Sequence, residues 1–340
     1  MNRRELLKLG AAVPLSLSLP AVAWANTQLR MSSWLPPKHV LQKDVMLEWA
    51  REIAEASGGR LKINTLPKPV TAPPGTFDAV SAGIVDVAFN VHGYTPGRFL
   101  LTNVAEFPGS GDSAEVMSVA YQRLHEKQLA EHGEHGDLKV LAVFTNGPGH
   151  IFTTDRPVAR VADLEGLRIR VGGGIANNVA DALGVSAVLK PASESYELLS
   201  VGIVDGVFFP MEAVVNFKLT QIIRHGTLIP GGLYNTSWAV VMNRAAFDAL
   251  APEDQKIIED LSGENLARRA GKAQDAFDRQ ALEQAREAGV AMSVADDAFM
   301  AELAQRTSPL RDAWFGKIGE RGLNGAALLD AWKAEVANAA

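Results

Sequence analysis

Beyond its first residues the chain alternates short apolar runs with stretches of helical spacing, and this alternation restricts it to sheets covered by helices. Leu29 to Trp34 is short and apolar at alternate positions, as a strand requires. Val40 to Ala56 then places Val45, Trp49, Ile53 and Ala56 on one helical stripe, which Gly58-Gly59 ends. Leu61 and Ile63 begin a second strand, and Phe77 to Ala82 reads as a short helix before the apolar run Val85 to Val91. Strands running the same way need a crossover, usually a helix, so strand, helix, strand, helix, strand spells a parallel sheet with helices on its faces.

A second pass of the same grammar starts near residue 112. Ser113 to Glu131 predicts an amphipathic helix and Leu138 to Phe144 a strand, and Asn146-Gly147-Pro148-Gly149 is a turn cluster where the chain could change lobes. The helices Ala176 to Leu183 and Ser193 to Val201, the run Val204 to Phe209 and the strand Trp238 to Met242 continue the alternation. From Pro252 to Ala288 the sequence is almost continuously helix-compatible, about 55 Å if unbroken, longer than one lobe needs. Gly263 and Gly271 mark where it could bend. Asp296 to Glu320 and Gly325 to Ala337 predict terminal helices. A chain of 340 residues suits two lobes or one large α/β domain.

The first residues stand apart. A charged start, Asn2 to Lys8, precedes a weakly apolar stretch from Leu9 to Val22 and the small-residue cleavage pattern Ala23-Trp24-Ala25, which predicts a cleaved export signal and a mature start at Asn26. Arg3-Arg4 followed by Leu6, Leu7 and Lys8 resembles a twin-arginine export signal; an ordinary secretory signal is the alternative. Removing residues 1–25 takes three basic residues and one acidic, moving the formal net charge from −6 to −8. An acidic exported chain is a poor partner for nucleic acid. With no cysteine, disulfides and thiolate metal sites are excluded.

Chemistry concentrates between Leu164 and Gly206. Arg168 and Arg170, two apart on a short strand, both point away from Leu167, Ile169 and Val171, and a glycine run follows. A guanidinium at a strand end can grip a carboxylate bidentately, whereas the plainer reading of any one arginine is a surface ion pair. Periodicity does not choose between the two. The segments "LEGLRIRVGGG", "DALGVSAVLKPASESYELLSVGIVDG" and "PMEAVVNFKL", in that order and spacing, resemble the DctP-like solute-binding subunits of TRAP transporters. The resemblance implies an α/β, two-lobed periplasmic binding protein fold with a long inter-lobe helix and a cleft at the hinge. Lobe I would comprise 26–147 with roughly 237–275, and lobe II 148–236 with roughly 276–340. It implies that Arg170, immediately before the turn, forms the salt bridge to the ligand carboxylate. It also implies a periplasmic monomer without cofactor or catalysis that delivers an organic acid to small and large integral membrane subunits.

Two departures from that pattern bear on the ligand. Where many relatives carry a second arginine after the crossing turn, this chain has His150; where they commonly carry Asn after the Asp-Gly, it has Phe209. Phenylalanine offers only an apolar face, so the expected ligand is a monocarboxylate with an aromatic or aliphatic body rather than a C4-dicarboxylate or a sialic acid. Trp34, Phe208, Tyr234 and Trp238, with His92 and Tyr94 after the third strand, fall where strand ends meet a cleft, although aromatic residues also serve the core. His125, His132 and His135 read as a solvated helix end, and Glu194 and Glu197 as acids at a helix start. Gly172-Gly173-Gly174 could seat an anion, but no phosphate-binding spacing follows. The rival readings are a binding protein for an ABC importer or chemoreceptor, and an exported hydrolase or lyase using Glu212 and His150.

Overall fold

The computed structural model describes residues 26–340; the predicted export signal, residues 1–25, lies outside the described residues. The strands are β1 (Thr27–Ser32), β2 (Leu61–Thr65), β3 (Val87–Val91), β4 (Lys139–Thr145), β5 (Gly149–Thr153), β6 (Arg168–Val171), β7 (Ser186–Leu189), β8 (Gly206–Pro210), β9 (His225–Leu228), β10 (Ser237–Met242) and β11 (Ala291–Val294). They form two sheets, ordered β2-β1-β3-β10-β4 and β11-β9-β5-β8-β6-β7. Helices α1 (Leu47–Ala56), α2 (Thr76–Ser81), α3 (Ala114–Leu124), α4 (Ile175–Ala182), α5 (Ser195–Ser200), α6 (Met211–Asn216), α7 (Arg244–Asp248) and α8 (Pro252–Asp260) come first. The long helices α9 (Gly263–Glu287), α10 (Asp297–Glu320) and α11 (Gly325–Ala339) follow.

Where strand alternates with helix, the strands pair in parallel: β1 with β2 and β3, and β6 with β7 and β8. The sequence predicted only this. The strands next to the crossings, β10 and β5, instead run antiparallel to β3, β4, β8 and β9. They carry the chain directly from one sheet to the other and so arrive without a crossover helix. Every residue of β3, β5, β8 and β10 is buried, which accounts for their continuous apolar runs.

The chain passes between sheets at 146–148 and at 229–236, and the two passages are tied together. Gly149 N–H donates to Tyr234 O (2.8 Å), Leu233 N–H to Gly149 O (2.9 Å) and Asn146 N–H to Thr236 O (3.1 Å). The side chain of Asn146 accepts from Thr236 N–H at 2.8 Å. The third link is α9: Leu266, Ala267 and Ala270 enter the core around β1 to β4, whereas Ala281 and Ala285 enter the core around β8. Its 25 residues span about 37 Å, enough to bridge both.

The single helix predicted from Pro252 to Ala288 is two. It breaks after Asp260, and Gly263 takes φ +55°, a left-handed conformation that favours glycine. Gly271 does not bend α9. A Cβ there would collide with the Ala114 carbonyl, so the glycine lets the start of α3 rest on the long helix. Asp275, one turn further on, accepts from the N–H groups of Ala114 (2.6 Å) and Glu115 (3.1 Å) and fixes that crossing.

Candidate ligand-binding site

Strand β6 resolves the two arginines. Arg168 is half exposed, and its N–H, Nε and Nη2 all donate to the Asp205 carboxylate at 2.5 to 3.0 Å, the surface pair that the plainer reading expects. Arg170, at the end of the strand that faces the other sheet, is 1% exposed and has no carboxylate partner among the described residues. Its Nε donates to Lys190 O (2.8 Å) and its Nη2 to Tyr94 Oη (3.3 Å), and Nη1 has no acceptor among the described residues. A buried cation held only by neutral dipoles is costly unless an anion joins it.

The surroundings are aromatic. The Arg170 guanidinium lies 4.5 Å from the centre of the Phe209 ring, and Phe209 stacks on Phe217 at 6.0 Å. Trp238 is sandwiched between Trp34 and Phe144, each at 5.8 Å and 9° from parallel, and Tyr94 meets Trp34 edge-on at 5.6 Å. With Leu35, His39, Asn146, Glu212, Tyr234 and Thr236 these side chains bound one small, closed-in cavity. Tyr234 is held by its hydroxyl, which donates to Phe208 O (2.9 Å); a Cβ on Gly149 would strike its ring.

Glycine run 172–174 brings the lobes together, and Gly172 also lines the cavity. A Cβ on Gly93 would stand 2.9 Å from both Gly173 C and Gly174 N, and Gly173 and Gly174 have φ +83° and +61°. Beside them the Tyr94 hydroxyl accepts from Ala192 N–H (2.9 Å) as well as from Arg170. Buried Glu106 accepts from Ile175 N–H at the start of α4 (3.0 Å) and from Ser237 Oγ on β10 (2.6 Å). Burial raises its pKa.

Of the residues singled out from sequence, Arg170, Phe209, Trp34, Tyr94, Tyr234 and Trp238 line this one cavity. Three lie elsewhere. Phe208 alternates with Phe209 along β8 and points into the core packed around β6 and α4. His150 faces the far side of the hinge near Asp275 and Asp278, where its Nδ1 accepts from Ile229 N–H (3.1 Å) and burial lowers its pKa to about 4. His92 belongs to a buried imidazole cluster, with Nδ1 2.9 Å from Ser237 Oγ and Nε2 2.9 Å from His135 Nε2. His125 packs on His135 at 5.4 Å, so these two are buried and not the solvated helix end that their spacing suggested. Among the described residues no group of three or more His, Cys, Asp or Glu could hold a metal.

Sequence reasoning missed His39, Asn146, Thr236 and Phe217 as cavity residues. Asn146 and Thr236 were findable as the polar residues of the two passages. His39 and Phe217 carry no local signal, since each reaches the cavity through the packing of its segment. Glu212, read from sequence only as a rival catalytic acid, is also in the wall.

Residues 31–317 match the family described as bacterial extracellular solute-binding protein, family 7 (DctP). Over 338 residues the chain is 31% identical to the outer membrane transporter protein TsaT of Comamonas testosteroni, covering 99% of each. The fold matches, with a TM-score of 0.89, that of a TRAP periplasmic solute-binding protein from Bordetella bronchiseptica solved with (R)- and (S)-mandelate. The two are 46% identical, with 92% of this chain and 99% of that one covered. A TRAP solute-binding protein of an unidentified marine microbe, specific for aromatic acid ligands and solved with 3-hydroxybenzoate, matches with a TM-score of 0.88 and 30% identity over 92% of this chain and 99% of that one.

Proposed function

The chain belongs to the DctP family of bacterial extracellular solute-binding proteins, and on that premise we propose that it is the periplasmic receptor of a TRAP transporter for aromatic monocarboxylates. The family binds and hands over solutes; it is not a family of enzymes. The observation that carries the ligand class is Arg170, a buried cation without a protein anion, opening on a cavity walled by Phe209, Phe217, Trp34 and Trp238. A carboxylate paired with Arg170 neutralises the one arginine or lysine that lines the cavity among the described residues, and an aromatic body fills the rest. The aromatic acids bound by the similar proteins from Bordetella bronchiseptica and the marine microbe support this reading.

Arg170 is 1% exposed, so a ligand reaches it only when the lobes part. Closure on the bound acid is then stabilised by the Tyr94 and Glu106 hydrogen bonds and by the Gly93 contact, which exist only when the lobes meet. The closed form is what the integral membrane subunits of the transporter accept. Residues 1–25 direct export and are removed near Ala25, and no helix among the described residues is long and apolar enough to cross a membrane.

A thermal-shift screen over aromatic acids, dicarboxylates and sugar acids, followed by mass spectrometry of the recovered ligand, tests this function. Aromatic monocarboxylates are expected to raise the melting temperature and to be recovered unaltered at one per chain; at 100 times Kd the stabilisation is about 2.7 kcal/mol. A response to dicarboxylates or sugar acids alone, or chemical turnover, overturns it.

A further inference from the structure

The cavity has a second polar station, on Glu212. This residue, the second of α6, is 3% exposed and lines the same space as Arg170. Contacts run along one wall from the Arg170 guanidinium to Phe209 (4.5 Å), Phe217 (6.0 Å) and His39 (5.7 Å), and His39 Nε2 lies 3.4 Å from Glu212 Oε2. Asn216 Nδ2, one turn along α6, donates to the same Oε2 at 2.5 Å. Both protein contacts therefore fall on one carboxyl oxygen, and Oε1 has no partner among the described residues.

We propose that Glu212 is a specificity-determining residue whose Oε1 hydrogen-bonds an uncharged oxygen on the ligand, so that the preferred acids are aromatic monocarboxylates bearing a hydroxyl or oxo group. The proposal rests on the aromatic-acid reading above and deepens it. The proton inventory supports a donor at Oε1. His39 Nδ1 accepts from Leu41 N–H (3.2 Å), so the neutral ring carries its proton on Nε2, which lies 3.4 Å from Glu212 Oε2. Oε2 thus accepts from Asn216 and faces the His39 N–H, which leaves the carboxyl proton for Oε1.

The charged and titratable groups around Glu212 keep that proton in place. Asp278 on α9 accepts from Glu212 N–H at 2.6 Å, and burial together with this neighbouring carboxyl pushes the Glu212 pKa up to about 8. Asp278 is itself pushed up to about 7 by burial, with Asp275 raising and Arg279 lowering it from the same helix. Burial holds His39 down at about 3, so it is neutral and offers no cation to a second carboxylate. Arg170 is the cation that lines the cavity. A ligand with one carboxylate at Arg170 and a neutral oxygen at Glu212 matches both stations, whereas a dicarboxylate leaves one charge without a counterion.

Calorimetric titration with the pairs benzoate and 3-hydroxybenzoate, and phenylacetate and mandelate, tests the assignment on the mature protein at pH 6.5 and pH 9. In the wild type at least one oxygen-bearing acid is expected to bind about 10-fold or more tightly than its parent at pH 6.5, and to keep that advantage at pH 9, where the ionised carboxylate accepts from the ligand hydroxyl. Glu212→Leu is expected to abolish the advantage, so that the oxygen-bearing acid and its parent bind the variant alike. Glu212→Gln, which keeps an N–H donor and the shape of the site, is expected to retain the advantage at both pH values and controls for misfolding. An unchanged ratio in Glu212→Leu, or parents and oxygen-bearing acids binding the wild type alike, overturns the role of Glu212 and leaves the aromatic-acid reading standing. If none of the four acids binds the wild type, the aromatic-acid reading falls and this proposal with it.

Discussion

Arg170 and Arg168 differ by two positions and by everything that decides a role. Period-two spacing put both on one side of β6 and could go no further, because the deciding partner, Asp205, lies 37 residues away and takes only Arg168. The same limit applied to Phe208 and Phe209, where alternation guarantees that one faces the cavity without saying which. Legible from the residues alone were the arginine strand and the aromatic supply. The family resemblance supplied the choice of Arg170. An isolated buried cation destabilises the chain that carries it. Arg170→Met is therefore expected to leave the ligand-free protein at least as stable as the wild type, to within about 1 kcal/mol, as read from urea denaturation. A loss of several kcal/mol would mean that the guanidinium serves the fold instead.

Among the elements, the glycines show what sequence hides. Gly263 and Gly271 were both visible as weak points of a long helix. One breaks it through a left-handed backbone, and the other sits undistorted where α3 crosses, a distinction set by a partner segment about 150 residues away. Gly93 offers a sharper test because its φ is not positive, so a side chain there meets strain only from the facing lobe. Gly93→Ala should leave the ligand-free stability within about 1 kcal/mol of wild type, because its Cβ is crowded only when the lobes meet. The same substitution should weaken ligand binding about 10-fold or more, since each 1.4 kcal/mol lost by the closed form costs a factor of ten. Calorimetry checks the affinity, and small-angle scattering checks the ligand-induced compaction; wild-type values for both would contradict closure through this contact. The strand and helix order from β1 to β4 was readable because it follows from local periodicity, whereas β5, β9 and β11 were not read as strands. The antiparallel entry of β5 and β10 was not readable, since it depends on where the chain changes sheets.

At the scale of the whole molecule, buried titratable groups set opposing limits on stability. Burial lowers five imidazoles, His39 and His135 to about 3, His125 and His150 to about 4, and His92 well below its usual value. Each stays neutral in the fold while the unfolded chain takes up a proton below about pH 6.5, so their contribution is lost as pH falls through that value. Three carboxyls are raised, Glu212 to about 8, Asp278 to about 7, and Glu106 in the same direction. Their contribution is present below the ordinary carboxyl range and is lost as pH rises through the folded values. Five protons against three make the imidazoles dominate below about pH 6.5, and only the carboxyls act above it. Maximum stability is therefore expected near pH 6.5 in thermal melts, falling on both sides; a monotonic rise to pH 9 would contradict these burials. On this reading one buried cation, Arg170, holds the acid. Isothermal titration of wild type and Arg170→Met, with an aromatic monocarboxylate that stabilises the wild type, addresses it most directly. The variant is expected to lose about 2 kcal/mol or more, roughly 30-fold in Kd, while remaining folded. Binding by the folded variant within about 3-fold of wild type would contradict it.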